Sequence, residues 1–305
     1  MSQVSLLIRL LRPHQWLKNG FVLVGLLFGH AWNDPMRVTQ ALLAFAAFCL
    51  LASAVYVMND LIDRQQDRRH PHKRRRPLAS GAVGVPAALA LMAGCCAGGL
   101  ALVWWSDSRA PWLFVLYVVL NVAYTFRLKH VVILDVFIIA AGFMLRLLVG
   151  TLGIGIPPSQ WLLLCGLMLT LFLGFAKRRA ELGALGIAGT RGDAAAGAAP
   201  ASSHRRVLEH YSPVLLDQLM TIAAAGTIVS YSLYTVSPET VALHGTTNLI
   251  YTVPFVIYGM FRYLFLLHRR GGGGDPAQQL LGDPHLLAAL TGWLLLVLAI
   301  LGQPL

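Results

Sequence analysis

Nine stretches of this chain are long, apolar and almost free of charge. They lie at about 17–33, 38–58, 86–105, 111–128, 131–152, 160–176, 213–236, 248–267 and 285–303. A helix needs roughly 17–25 mostly apolar residues to cross a bilayer. Inside lipid every backbone N–H and C=O must be paired within the structure, which leaves very few folds open to such runs. The expectation is an all-α, polytopic membrane protein of about nine transmembrane helices. Composition agrees: of 305 residues 57% are hydrophobic and 12% charged, against about a quarter charged in a soluble domain. Turn residues fence the runs, as at Asn33-Asp34-Pro35, Ser106-Asp107-Ser108 and Pro157-Pro158-Ser159.

The net charge of +11 is not a nucleic-acid footprint, because the basic residues sit in short loops between apolar runs rather than on one soluble face. With the N-terminus inside, the inward segments hold 21 of the 24 Lys and Arg, and the outward loops hold only Arg37 and Arg109. This asymmetry predicts a multi-pass protein of the cell membrane with a cytoplasmic N-terminus. Arg9, Arg12 and Lys18 precede the first apolar run and no small-residue cleavage site follows it, so no cleavable signal is expected. Cys49, Cys95, Cys96 and Cys165 lie in apolar spans without metal-ligand spacing and read as small buried hydrophobes. Residues 183–203, rich in Ala and Gly, and 271–283, opening with four glycines, read as flexible inner loops within a single transmembrane domain spanning 1–305. Lipid-facing and protein-facing span surfaces look alike, so a homo-oligomer stays open.

Against this background Asn59–Pro77, N-D-L-I-D-R-Q-Q-D-R-R-H-P-H-K-R-R-R-P, stands out. Asp60, Asp63 and Asp67 are three and four residues apart, which on a helix places them on one face. Arg64, Arg68, Arg69, Lys73, Arg74, Arg75 and Arg76 interleave and follow. Carboxylates of this kind suit a hard divalent cation, and the basic residues suit the remaining oxygens of a polyphosphate. The bland alternative is a solvated loop that fixes topology by its charge, which leaves the three aspartates unexplained. His70 and His72, without a further His or Cys nearby, make a poor zinc site.

A second polar group, Tyr124, Arg127, Lys129, His130 and then Asp135, falls on the same predicted side after the fourth run. An aspartate at the centre of a span costs about 2.5–3.5 kcal/mol on insertion scales. Asp135 is nearer an end and still needs a partner, for which Lys129 or a bound metal would serve; the structural alternative is an Asp–Lys pair. Arg146, eleven residues further on, either meets a phosphate in a polar cavity or snorkels to the outer surface. Lys18 and Asn19 sit where the chain enters the membrane, within reach of a phosphate. Lys177, Arg178 and Arg179 read mainly as positive-inside charges, with a phosphate role as the alternative. Together these residues predict a cytoplasm-facing cavity for a Mg²⁺-bound diphosphate, walled by apolar helices that would suit a lipid as second substrate.

The run N-D-x-x-D-x-x-x-D continuing into R-P-L-A-S-G resembles the first signature of the UbiA-type intramembrane prenyltransferases. Y-T-F-R-L-K-H-V-V-I-L-D at 124–135 sits where that superfamily carries its second motif. R-P-H-Q-W-L-K-N at 12–19, D-R-R-H-P-H-K-R-R-R-P-L-A-S-G at 67–81 and L-F-L-G-F-A-K-R-R-A-E-L at 171–182 resemble the branch of decaprenyl-phosphate phosphoribosyltransferases. The single acid in the second motif, Asp135, counts against an aromatic acceptor. The resemblance implies a UbiA-like bundle and Mg²⁺-dependent transfer of 5-phosphoribosyl from phosphoribosyl diphosphate (PRPP) to a polyprenyl phosphate such as decaprenyl phosphate. Diphosphate is released, and the product would feed a cell-wall arabinose donor or a related glycolipid pathway. It implies catalytic and metal-holding roles for Asp60, Asp63 and Asp67, with Asp135 as ligand or orienting group. Lys18, Asn59, Lys73, Arg76, Tyr124, Lys129 and Arg146 would bind substrate. The alternative within the superfamily is prenyl transfer to an aromatic or other small acceptor. A transporter of lipids or small anions is the reading from another class, and the metal-type aspartate spacing disfavours it.

Overall fold

The computed structural model describes residues 3–69, 73–190, 207–269 and 282–302, with side chains of 184–190 excepted. Among them every regular element is a helix, and seven helices are long and apolar enough to cross a membrane: Pro35–Ile62, Val85–Trp105, Leu134–Ile154, Gln160–Gly183, Pro213–Val236, Asn248–Arg269 and Pro284–Leu301. An eighth apolar helix, Trp112–Phe126, has 15 residues. The expected count of nine is therefore not reached by length. The shortfall includes the first apolar run, which forms a 3-10 segment, Pro13–Leu23, followed by a five-residue helix, Val24–Phe28.

The start of four helices follows from a two-residue signal. At Asp34-Pro35, Ser212-Pro213, Ser237-Pro238 and Asp283-Pro284 a polar residue caps the helix and proline takes the first position. Proline needs no amide partner there and its fixed φ suits the helix, while the cap side chain accepts from the free N–H groups. Asp34 accepts from Met36 and Arg37 at 3.0 and 3.3 Å. Asp283 accepts from His285 and Leu286 at 3.1 and 3.0 Å.

Two compact units divide the chain. The first comprises Met1–Lys129 and Gly142–Pro158, the second His130–Ala141 and Ser159–Leu305. In the first unit the core centres on Phe48, Leu51, Leu113 and Phe114, with the Phe48 and Phe114 rings 4.9 Å apart. A smaller cluster, Leu10, Val57, Leu78, Val83 and Ala88, packs beneath the turn that follows the arginine run. The Pro13–Leu23 segment lies tightly against the end of Leu134–Val149. A Cβ on Gly150 would run into the Val22 carbonyl, and one on Gly25 into the Gly150 carbonyl. Small residues permit such backbone approach where apolar side chains gain nothing by leaving lipid. In the second unit Val136, Phe172, Ala176, Leu216, Met220 and Leu286 form the core.

The helix Gln160–Thr190 runs through the first eight residues of the stretch expected to be a loop at 183–203. Residues 191–203 and 271–281 lie outside the described residues, as do His70 and His72. Trp104, Trp105 and Trp112 are 84%, 71% and 58% exposed around one inter-helix turn, the placement of an interfacial aromatic belt.

Candidate active site

In the first unit the helix Pro35–Ile62 delivers Asn59 and Asp60 in its last turn, Asp63 as the residue that ends it, and Asp67 on the short helix Arg64–Arg69. The aspartates part company at that break. Asp60 and Asp67 are buried, and both reach the same nitrogen: Arg76 Nη1 lies 3.1 Å from Asp60 Oδ1 and 2.7 Å from Asp67 Oδ2. Asp63 instead stands 3.8 Å from Lys129 Nζ and is a quarter exposed. Among the described residues no group of three or more His, Cys, Asp or Glu side chains is arranged to hold a metal ion by itself.

Arg12 joins the cluster from the N-terminal segment. Its Nη2 donates to Asp60 Oδ1 at 2.5 Å and its guanidinium lies 5.2 Å from the centre of the Tyr56 ring. Arg12 holds a left-handed backbone, φ 53°, at a cost of about 1–2 kcal/mol for a residue with a Cβ. Trp16 extends the attachment, donating to Ser53 Oγ at 3.0 Å, while Ser53 Oγ donates to Leu11 O. Asn59 Oδ1 accepts from Thr125 Oγ1 at 2.6 Å.

The seven cations of the motif are now partly sorted. Arg64 Nε and Arg68 Nε donate to the carbonyls of Leu78 and Ala79, so these two hold the R-P-L-A-S-G turn in place. Arg76 serves the carboxylates. Arg69, Arg74 and Arg75 are exposed, and Lys73 is half-buried, as are Lys18 and Tyr124.

Arg146 neither snorkels nor faces open space. It is 6% exposed. Its Nε donates to Asn19 Oδ1 at 2.7 Å, Nη1 to the Gly142 carbonyl at 2.7 Å and Nη2 to the Tyr117 hydroxyl at 3.0 Å. The rings of Phe48, Tyr117 and Phe143 surround the guanidinium at 4.6–5.4 Å, and among the described residues no carboxylate pairs with it. Aromatic faces and neutral oxygens carry this charge, and it pins the 3-10 segment through Asn19.

In the second unit Asp135 is fully buried, and the expected partner Lys129 is replaced by two others. Arg178 Nε donates to Asp135 Oδ2 at 2.6 Å and the Tyr211 hydroxyl donates to Oδ1 at 2.7 Å. Arg178 Nη1 continues to Glu181 at 2.7 Å. The Tyr211 oxygen also accepts from Ile133 N–H at 2.7 Å. Burial first, then the hydrogen bond to Asp135, pushes the Tyr211 phenol well above its ordinary pKa, so it remains a neutral donor. Ile133 stands at φ +69°, an outlier for a β-branched residue.

Sequence reasoning missed Arg12, Arg178 and Tyr211 as site residues. Arg12 and Arg178 lie in the stretches 12–19 and 171–182 but were read mainly as interfacial and positive-inside charges, and Tyr211 follows a stretch without any motif.

The donor set fits a hard cation. Asp60 and Asp67 bring carboxylate oxygens to one point already spanned by a cationic nitrogen. Magnesium takes one or two carboxylates and completes its shell with phosphate oxygens and water.

Residues 20–281 match the UbiA prenyltransferase family. The chain is 31% identical over 302 residues to the decaprenyl-phosphate phosphoribosyltransferase of Mycolicibacterium smegmatis, covering 95% of this chain and 91% of that one. It is 32% identical over 307 residues to the enzyme of the same name from Corynebacterium glutamicum, covering 98% and 87%. Its fold is similar to that of a UbiA homologue from Archaeoglobus fulgidus solved with DMAPP and Mg²⁺, with a TM-score of 0.70 and 16% identity over 98% of this chain and 99% of that one. With an aspartate-rich motif on a helical membrane scaffold and a family match across most of its length, the chain belongs to the UbiA prenyltransferase family.

Proposed function

We propose that this protein transfers 5-phosphoribosyl from PRPP to the phosphate of a polyprenyl lipid, decaprenyl phosphate in the first instance, and releases diphosphate. The observation that carries the reading is the convergence of Asp60 and Asp67 on a single cationic point, in a chain whose relatives over nearly its whole length include decaprenyl-phosphate phosphoribosyltransferases. Asp60, Asp63 and Asp67 hold the metal–diphosphate, and Asn59 orients it. Bound Mg²⁺ supplies electrostatic stabilisation for the charge that gathers on the departing diphosphate.

The chain's own cations do the rest. Arg76 and Arg12 already lie at the carboxylates, and Lys129 stands beside Asp63. Lys18, Lys73 and Tyr124 complete the set of phosphate-binding candidates. Such groups act on the transition state because negative charge moves toward them as the C1–O bond stretches. The attacking lipid phosphate is already an anion, so it needs placement close to C1 rather than a general base. The basic bias of the loops supports an active site open to the cytoplasm. The ribosyl lipid would serve a cell-wall arabinose donor or a related glycolipid pathway.

The test is a donor–acceptor assay. Purified protein with labelled PRPP, Mg²⁺ and decaprenyl phosphate gives a labelled lipid and stoichiometric diphosphate, and chelation of Mg²⁺ abolishes both. A product formed from a prenyl diphosphate and an aromatic acceptor, with none from PRPP, refutes the reading in favour of prenyl transfer.

A further inference from the structure

The second acidic motif of this chain is built unlike the first. Asp60 and Asp67 share one cationic nitrogen on partly exposed Arg76, whereas Asp135 has no exposed surface and both its oxygens are engaged. A carboxylate becomes a Mg²⁺ ligand only where the ion approaches to about 2.0–2.1 Å with water or phosphate on its other sides. Asp135 offers no such side. Its carboxylate lies in the first turn of the helix Leu134–Val149, where it is favoured by the helix N-terminus, and it is clamped by Arg178 and Tyr211.

What this clamp holds is backbone. The Tyr211 hydroxyl accepts from Ile133 N–H while donating to Asp135. Ile133 is the residue in left-handed conformation, and its carbonyl accepts from Val136 and Phe137, which start the helix. One side chain from 78 residues along the chain thus fixes the strained residue of the motif and the acid beside it.

Resting on the phosphoribosyl-transfer reading above, we infer that Asp135, Arg178 and Tyr211 form a positioning group. They lock the 131–134 turn of the second motif and the start of the helix that follows it, and none of the three binds the metal ion. Arg178 and Tyr211 are positioning residues, and Tyr211 lies outside every motif quoted above.

The experiment compares Tyr211→Phe, Asp135→Asn and their combination with Asp63→Asn in three readouts: Mn²⁺ affinity by electron paramagnetic resonance in the presence of inorganic diphosphate, amide exchange at Ile133, and kcat with PRPP at saturating Mg²⁺. Tyr211→Phe and Asp135→Asn are each expected to leave Mn²⁺ affinity within twofold of the unaltered protein, to speed Ile133 exchange at least tenfold, and to lower kcat at least tenfold per folded molecule. The double variant loses little more than either single one, because the groups act as one network. Asp63→Asn weakens Mn²⁺ at least tenfold with Ile133 exchange unchanged. Loss of Mn²⁺ binding in Asp135→Asn overturns the inference and makes Asp135 a ligand. A Tyr211→Phe protein with native kcat, or with a lowered melting temperature as its sole change, overturns it too. If the unaltered protein transfers no ribosyl group, the functional reading fails, while Mn²⁺ affinity and Ile133 exchange still decide what Asp135 does.

Discussion

Replacing Asp63 by asparagine separates chemistry from stability more cleanly than any other change at this site. Asp63 is a quarter exposed and meets Lys129 at 3.8 Å, a distance without a hydrogen bond. Pairs of this kind contribute from nothing to about 1 kcal/mol. Asparagine keeps the shape, and Asp63 N–H still donates to the Asn59 carbonyl at 2.9 Å. The folded protein should therefore lose about 1 kcal/mol at most. Asp60→Asn is a worse probe. Its carboxylate is 4% exposed and accepts at 2.5 Å from Arg12 and 3.1 Å from Arg76. Removing one partner of a buried pair costs about 3–5 kcal/mol, reduced here because the two arginines are 24% and 31% exposed and can turn to solvent. If Asp63 holds the metal–diphosphate, its loss should lower kcat at least about 100-fold, or about 2.7 kcal/mol of transition-state stabilisation. The assay is steady-state transfer from labelled PRPP across a Mg²⁺ series, beside a thermal melt of the same sample. A variant with a native melt, kcat within threefold of the unaltered protein and the same Mg²⁺ dependence refutes the assignment.

Three further outcomes follow from the packing. Arg146→Met should cost about 2–4 kcal/mol in melting experiments, because it strands buried groups on Asn19 and Tyr117, and should leave the KM for PRPP unchanged in the protein that folds; a raised KM with a native melt would instead make Arg146 a substrate contact. Gly150→Ala should cost about 3 kcal/mol or more, since its Cβ meets the Val22 backbone, whereas Gly20→Ala, with nothing within 4 Å, stays near neutral on the same melting curve. Asp283 is held at about 2 by its hydrogen bond from Arg262 and by the Leu286 amide at the helix start. Its pKa is lowered on folding from about 3.9, so the stabilisation is present above pH ~4 and lost as pH falls toward 2; amide exchange at Leu286 should accelerate across that window and not above it.

Much of the architecture was legible because its causes are local. The expected run at 213–236 coincides with the helix Pro213–Val236, and Ser212-Pro213 states where it must start. The first apolar run misled for a physical reason. Hydropathy at 17–33 measures only transfer to lipid, whereas the 3-10 form of Pro13–Leu23 goes with a close backbone approach of Val22 to Gly150. The one-face geometry of Asp60, Asp63 and Asp67 also assumed an unbroken helix. The main helix ends at Ile62, and this leaves Asp63 beside Lys129 while Asp60 and Asp67 meet at Arg76.

By itself the sequence determined that the chain is a helical membrane protein with two acidic motifs in basic surroundings, since solvation of the backbone and of charge depends on residue type and order along the chain. Only the tertiary structure decided which charge answers which. Arg12 finds Asp60 across 48 residues, Arg146 finds Asn19 across 127, and Tyr211 finds Asp135 across 76. The basic residues of one loop look interchangeable in composition, yet Arg64 and Arg68 bond carbonyls while Arg76 bridges two carboxylates. The reason is that an ionic hydrogen bond forms over about 3 Å and in one direction, so its partner is chosen by how helices pack, which spacing along the chain does not encode.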